Sequence, residues 1–299
     1  MKRKAHIDSI GAVLLVATSA TYGLNQVLIK VVNDGLQPVF QAGLRSLYAI
    51  GPILLFAALT RKPITVRDGS LIPGLVAGLF FTSEFILLYQ ALDFTTVARA
   101  SIFFYTMPFW AALGAHFLIP GDRLTPIRVL GLLLAFVGVI LALGNNAQPA
   151  TDKALLGDLF CLAGAVLWAG ILLLARTTKL SKACPEMQLL YQLTVSALVL
   201  LAIAPLFGEP VRDFTPGLAA IFVVQVLGVV CVGFLTWFWL LSVYPASRMA
   251  SFGFLAPVFG VFFGWLILDE HLSLLTMVAL VLVGSGIVLV NRVPVADRG

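Results

Sequence analysis

Ala91-Leu92-Asp93-Phe94-Thr95-Thr96-Val97-Ala98-Arg99-Ala100, continuing through Phe103, Phe104 and Tyr105 to Pro108, has a second copy further along the chain. A shift of about 149 positions lays Leu92 on Leu241, Ala98 on Ser247, Arg99 on Arg248 and Pro108 on Pro257, so a leucine, arginine and proline frame recurs at one spacing. Each copy reads as a corner between two helices, followed by an apolar helix with a proline near its midpoint. A fold made from two copies of one unit is the expectation.

Composition sets the medium in which those copies fold. The 299 residues are 60% hydrophobic and only 11% charged, with a mean hydropathy of +1.03, a balance at which a water-soluble globule would precipitate. A helix needs about 20 apolar residues to cross hydrocarbon. Such runs fall near 10–32, 38–60, 71–92, 96–119, 126–144, 155–175, 187–207, 217–241, 246–268 and 273–291. Breakers separate them, among them Gln37-Pro38, Lys62-Pro63, Pro120-Gly121, Asn145-Asn146 and Thr215-Pro216, and the loops are too short for a soluble catalytic domain. The fold class expected is an all-α integral membrane protein of ten transmembrane helices, arranged as two five-helix repeats over 1–146 and 147–299.

Met1-Lys2-Arg3-Lys4 before an apolar run with Ala17 and Ala20 has the outline of a signal peptide. The run continues to about Val32 and has a counterpart later in the chain, so it reads as the first span. Of the nineteen Lys and Arg residues, fourteen fall on the face shared by the two termini; Lys30, Arg99, Lys153 and Arg212 fall on the other, and Arg45 lies inside the second span. That bias places both termini in the cytoplasm and requires an even number of spans. The net charge of +5 is accordingly a topology signal, and no nucleic-acid partner is expected.

Further matches extend the duplication: Gly11 with Gly157, Tyr22 with Trp168, Lys30 with Arg176 and, after a one-residue shift, Pro38 with Pro185 and Arg45 with Gln192. Leu124 pairs with Leu272 and Gly138 with Gly286 after another shift. Five spans per half is an odd number, so the second copy enters from the opposite face. Inverted repeats of this kind are the physical basis of alternating access.

Candidate chemistry is sparse. Cys161, Cys184 and Cys231 have no paired spacing, His6, His116 and His271 lie far apart, and neither HExxH nor GxSxG occurs, so no enzyme activity, metal or cofactor is expected. Glu84, mid-way along the third span, is the sharpest single residue: an acidic group there costs about 2.5 to 3.5 kcal/mol to insert. It reads either as a proton-coupling or substrate-amine contact, or as a carboxyl hydrogen-bonded to a neighbouring helix. Arg99 and Arg248 open the fourth and ninth spans and either snorkel to headgroups or gate the two entrances; Arg45 carries the same ambiguity. Pro108 and Pro257, at matching positions, are candidate hinges. Tyr22, Phe81, Tyr89, Phe103, Trp168, Trp237 and Phe252 are candidate cavity walls for an amphipathic or aromatic substrate, with packing as the other reading. Gly74 with Gly78, and Gly260 with Gly264, have the spacing that lets helices approach closely.

Taken together, these residues resemble the drug/metabolite transporter superfamily, in particular its EamA-type ten-helix exporters, over nearly the whole chain. The resemblance is carried by Ala91-Leu92 to Pro108, Gly121-Asp122-Arg123-Leu124, Gly131 and Gly138, by the echo through Arg248, Pro257, Asp269-Glu270-His271-Leu272 and Gly286, and by Tyr22-Gly23-Leu24-Asn25, Lys30 and Arg45. Tyr22 stands where the family has Trp, and Asp122 where it commonly has Glu. The resemblance implies a secondary transporter exporting small metabolites across the inner membrane, amino acids or related amphipathic or aromatic compounds, with Asn25 among the cavity residues. Multidrug efflux is the alternative within transport, and a passive channel or lipid handler the alternative outside it. The partners expected are a small-molecule substrate and membrane lipids, in a monomer or weak homodimer, with proton coupling through Glu84 left open.

Overall fold

Polar side chains and prolines fix where several of the helices begin. The structure, a computed structural model, describes residues 8–120, 124–143, 152–244, 252 and 255–290. Helix α1 (Ser9–Asn33) starts where Asp8 Oδ1 accepts from Gly11 N at 2.9 Å, and α2 (Pro38–Leu59) where Gln37 Oε1 accepts from Phe40 N at 2.6 Å with proline in the first turn. Each cap satisfies a first-turn N–H that no helix can pair internally. Helix α3 (Leu71–Phe94) turns at Thr95 into α4 (Val97–Phe104), capped by Thr96, and α5 (Met107–Leu118) and α6 (Pro126–Leu143) follow. Then come α7 (Ala154–Thr177), α8 (Pro185–Ile203), α9 (Pro216–Val224), a π-helix (Gln225–Gly233), α10 (Phe234–Val243), α11 (Leu255–Leu268) and α12 (Leu274–Val290).

Among the described residues seven helical spans are long and apolar enough to cross a membrane, and three shorter apolar helices accompany them. Among the described residues no strand forms; the one isolated bridge, Leu36 with Val211, ties the α1–α2 loop to the loop before α9. Backbone hydrogen bonds are thus satisfied within segments, as hydrocarbon demands.

Three details differ from the sequence-based spans. The third span runs on to Phe94, which brings the corner forward. The fourth is two helices rather than one: α4 ends at Phe104 and Pro108 lies in the first turn of α5, where a missing N–H goes unused anyway. Pro108 therefore starts a helix, and Pro257, the third residue of α11 as described, also lies in a first turn rather than at a helix midpoint. The eighth span, expected to be continuous, is interrupted by the π-helix, a feature that periodicity does not reveal and that often marks functional segments.

Helices pair across the chain through small residues. A methyl group on Gly286 of α12 would stand 2.6 Å from Gly131 O of α6, and one on Gly23 of α1 would stand 2.6 Å from Gly260 N of α11. Gly157 of α7 meets Thr95 and Ala91 of α3 in the same way, and Ser46 of α2 and Ser196 of α8 share a hydrogen bond of 2.9 Å. In lipid, where apolar side chains gain little by meeting each other, close backbone approach and interhelical hydrogen bonds hold helices together.

Candidate functional site

The α3–α4 corner quoted at the outset is held from four directions. From α1, Lys30 Nζ donates to Leu92 O at 3.0 Å and to Thr95 O, so an ammonium caps carbonyls that the end of α3 leaves open. From the loop after α11, Glu270 Oε1 and Oε2 accept from Val97 N at 2.7 Å and Ala98 N at 2.9 Å, the free N–H groups of the first turn of α4. Gly264 makes room for that carboxylate: a methyl there would lie 2.8 Å from Glu270 Oε2. Burial pushes the Glu270 carboxyl up from its ordinary range, and the two backbone donors pull it back.

From α7, Asp158 accepts Thr95 Oγ1 at 2.9 Å and the Arg99 guanidinium through both Nε and Nη2, with Nε 3.2 and 3.1 Å from the two carboxylate oxygens. The Asp158 side chain is fully buried and that of Arg99 only 11% exposed, so Arg99 is turned inward onto the carboxylate rather than out to headgroups. From the loop before α9, Arg212 reaches both oxygens of Asp93 at 3.0 Å and Asn33 O at 2.8 Å. The hydrogen-bonded Asp93 carboxylate raises the Arg212 pKa above its usual value.

Glu270 offers a direct test. Glu270→Ala leaves two first-turn N–H groups of α4 without an acceptor and is expected to cost about 0.5–2 kcal/mol. Glu270→Gln keeps one oxygen and should cost less; thermal unfolding in detergent ranks the two.

A second constellation sits at mid-depth. Arg45 Nη1 donates to Tyr89 OH at 2.5 Å, and the guanidinium lies 5.2 Å from the Phe85 ring centroid and 6.0 Å from that of Tyr89. Glu84, one turn before Leu88 on α3, is 4% exposed and its Oε2 has no hydrogen-bond partner among the described residues; the charge that acts on it is Arg45. Arg45 is also within electrostatic reach of Tyr22 and of Cys231 on the π-helix. Nearby amides are only half satisfied. Ser101 Oγ donates to Gln26 Oε1 at 2.5 Å and Gln41 Nε2 to Gln225 Oε1 at 3.4 Å, while Asn25 Oδ1, Gln26 Nε2, Gln41 Oε1 and Gln225 Nε2 find no partner among the described residues. An unmet buried polar atom costs about 1–3 kcal/mol, so a cluster of them fits a place where something else supplies the partners.

The aromatic candidates divide. Tyr22 meets Trp237 edge-on at 6.5 Å, Trp168 stacks on Phe104 at 5.1 Å and meets Tyr105 edge-on at 6.1 Å, and Phe81 lies 4.0 Å from Phe85. Phe103 is fully buried with the Arg99 guanidinium 6.0 Å from its ring, so it packs beneath the ion pair. Phe252 packs near the opposite end of α1, against the cluster of Leu15, Leu240, Val243 and Tyr244, and its carbonyl accepts from Ser19 Oγ at 3.4 Å. Arg248 lies outside the described residues. Sequence reading singled out neither Asp158 nor Gln26, Gln41, Gln225, Ser101 and Tyr105. A polar residue inside an apolar run is the signal that marks all but the last.

Polar side chains turned inward and large apolar ones outward, with Leu59, Ile72 and Phe117 each about three-quarters exposed, define a multi-pass helical membrane protein with a polar interior. A family model described as the EamA-like transporter family matches residues 9–144 and, a second time, residues 155–292. The chain belongs to that family, within the drug/metabolite transporter superfamily, and is a membrane transporter rather than an enzyme. It is 27% identical over 296 residues to "Probable amino-acid metabolite efflux pump" of Escherichia coli (strain K12), covering 96% of this chain and 94% of that one. It is 24% identical over 280 residues to "Uncharacterized transporter YoaV" of Bacillus subtilis (strain 168), covering 91% and 94%. A solved structure described only as the crystal structure of a protein shares the fold, with a TM-score of 0.66 at 19% identity over 92% of this chain and 94% of its own.

Proposed function

We propose that this chain is a secondary transporter that exports amino acids or related amphipathic or aromatic metabolites by alternating access. The observation that carries the reading is that Arg45, whose one hydrogen bond among the described residues goes to Tyr89, lies within electrostatic reach of Glu84, whose Oε2 has no hydrogen-bond partner among those residues. A guanidinium is the natural partner of a substrate carboxylate, a carboxylate of a substrate ammonium, and the rings of Tyr22, Phe81, Trp168 and Trp237 would suit an apolar side chain. The relative named for amino-acid metabolite efflux supports the substrate class.

The architecture that goes with this function has ten spans in two inverted halves, 1–146 and 147–299, with both termini in the cytoplasm and the chain in the inner (plasma) membrane. Its support is the repeat register, the lysine and arginine bias and the double match of the family model. The working unit is a monomer or weak homodimer needing no cofactor, with the substrate and membrane lipids as its partners.

Proteoliposomes holding the purified protein are expected to exchange labelled amino acids with saturation and with acceleration by unlabelled substrate on the far side. A flux that rises linearly with solute and shows no countertransport would make the protein a channel. In the same vesicles Glu84→Gln should abolish any stimulation by a pH gradient while leaving exchange at equal pH; stimulation that survives the substitution removes Glu84 from proton coupling.

A further inference from the structure

Two helix seams that correspond in the repeat register are built differently. In one, α8 lies against the start of α3. Ser70 Oγ and Tyr191 OH are 3.0 Å apart, the Tyr191 ring covers Gly74, and a methyl on Gly78 would stand 2.7 Å from Val195 Cβ. Two glycines let the helices meet, and this seam is closed.

In the other, α2 lies beside α9. The shift that lays Pro38 on Pro185 puts Leu44 at the place of Tyr191 and Tyr48 at the place of Val195. Within the one-residue slip that the π-helix introduces, Gly74 and Gly78 fall on Phe222 or Val223 and on Val226 or Leu227. Bulky side chains therefore replace bare backbone, and leucine replaces the tyrosine that hydrogen-bonds across the closed seam. Along this seam Tyr48 of α2 meets Phe222 of α9 edge-on, with 6.3 Å between ring centroids, and the side chains leave an apolar groove of about 380 Å³ lined by Leu44, Tyr48, Phe222, Val223, Val226 and Leu227.

Its surroundings identify what fills it. Tyr48, Val223 and Leu227 are about half exposed, and the groove is continuous with the apolar belt that faces lipid. It lies along the first half of α2, from Leu36 at the Leu36–Val211 bridge to Tyr48. Its lining offers water one hydroxyl, where a bound water needs two to four partners, and an empty groove would forfeit dispersion contacts along both walls. A helix about 10 Å across does not enter a cleft between neighbouring helices, whereas a single flexible hydrocarbon chain does. We propose that the groove between α2 and α9 binds one acyl chain of a phospholipid in the leaflet opposite the N-terminus of α1. The lining of the groove includes neither Arg45 nor Glu84, so the inference stands apart from what the central site carries.

Native mass spectrometry of the delipidated full-length protein, titrated with a phosphatidylglycerol of defined chain length, provides the test. The wild type should take up one phospholipid per chain, and Val223→Trp, which fills the groove, should raise the half-saturating concentration at least tenfold. Leu227→Phe fills it more gently and should give a smaller shift in the same direction. Leu198→Trp, on the lipid-facing side of α8 away from the groove, should leave binding unchanged. Failure of the wild type to bind, equal binding by folded groove-filling variants, or equal loss in Leu198→Trp overturns the proposal. So does a protein dimer that Val223→Trp disperses, which would assign the groove to a second copy of the chain. Substrate exchange in proteoliposomes, read in parallel, reports separately on the transport function.

Discussion

Asp158→Ala should be the most destabilising single change in the described part of the chain, at about 3–5 kcal/mol. The reason is asymmetry. The Asp158 carboxylate is fully buried and the Arg99 side chain nearly so, and the carboxylate takes its donors from the Arg99 guanidinium and Thr95 Oγ1. Removing the carboxylate takes from the guanidinium its buried acceptor at the first turn of α4, where the helix dipole already disfavours positive charge. It also removes the acceptor that ties α7 to the α3–α4 corner. Arg99→Ala should cost slightly less, because Thr95 still donates to the remaining carboxylate. The double variant Arg99→Ala/Asp158→Ala should cost less than the sum of the single ones, since no charge is left unpaired. By contrast Asp93→Ala should move stability by no more than about 1 kcal/mol, because the Arg212 side chain is 38% exposed and water replaces its partner. A double-mutant cycle read by thermal unfolding in detergent measures each step. Equal costs for Asp158→Ala and Asp93→Ala would mean that the buried pair is solvated in the working protein.

The corner was legible before the structure because duplication leaves a frame that a sliding comparison detects. Leu92, Arg99 and Pro108 had to be at fixed spacing for their echoes to be seen. What the frame does not carry is the partner of each residue. Arg99 is one residue among several that open a span with a positive charge, and only the fold brings Asp158, 59 positions away, against it. Glu270 is harder still: it lies in a loop, and its role depends on Gly264 leaving room for it to reach the first turn of α4. The break before Pro108 was half-legible. Proline predicts a disrupted helix, but whether the ring bends a continuous helix or begins a new one depends on the turn preceding it. The π-helix left no distinct trace in the sequence, since Gln225–Gly233 is apolar apart from Gln225 and a wider helical turn does not alter composition. In the central site, Glu84 and Arg45 announced themselves as charges inside apolar runs. Gln26, Gln41 and Gln225 carry the same signal more weakly, and their unmet amide atoms become visible only when the neighbouring helices are in place.

Arg45→Gln is expected to lower kcat/KM for exchange about 10- to 100-fold, with a Tm shift of only a few degrees. The argument begins with what the arginine does in the resting protein. Its one hydrogen bond among the described residues is to Tyr89 OH, and its planar face lies near Phe85, so little of its donor capacity is used internally. A hydrogen bond to a charged group is worth about 1.5–3 kcal/mol, and each 1.4 kcal/mol is a factor of ten in an equilibrium constant, which sets the expected range. Gln192, the repeat counterpart, shows that an amide fits the equivalent place on α8, so the substitution is compatible with the fold. Arg45→Lys separates charge from geometry: an ammonium restores the charge without the planar fork, and it should recover part of the rate if a substrate carboxylate is gripped by two parallel N–H groups. The substrate dependence makes the test specific. An amino acid whose carboxylate is converted to an amide should be transported poorly by the wild type and no worse by Arg45→Gln, because the contact that the substitution removes is already missing. If the amide and the free acid lose rate equally in Arg45→Gln, the arginine braces Tyr89 and Phe85 and the substrate carboxylate is held elsewhere.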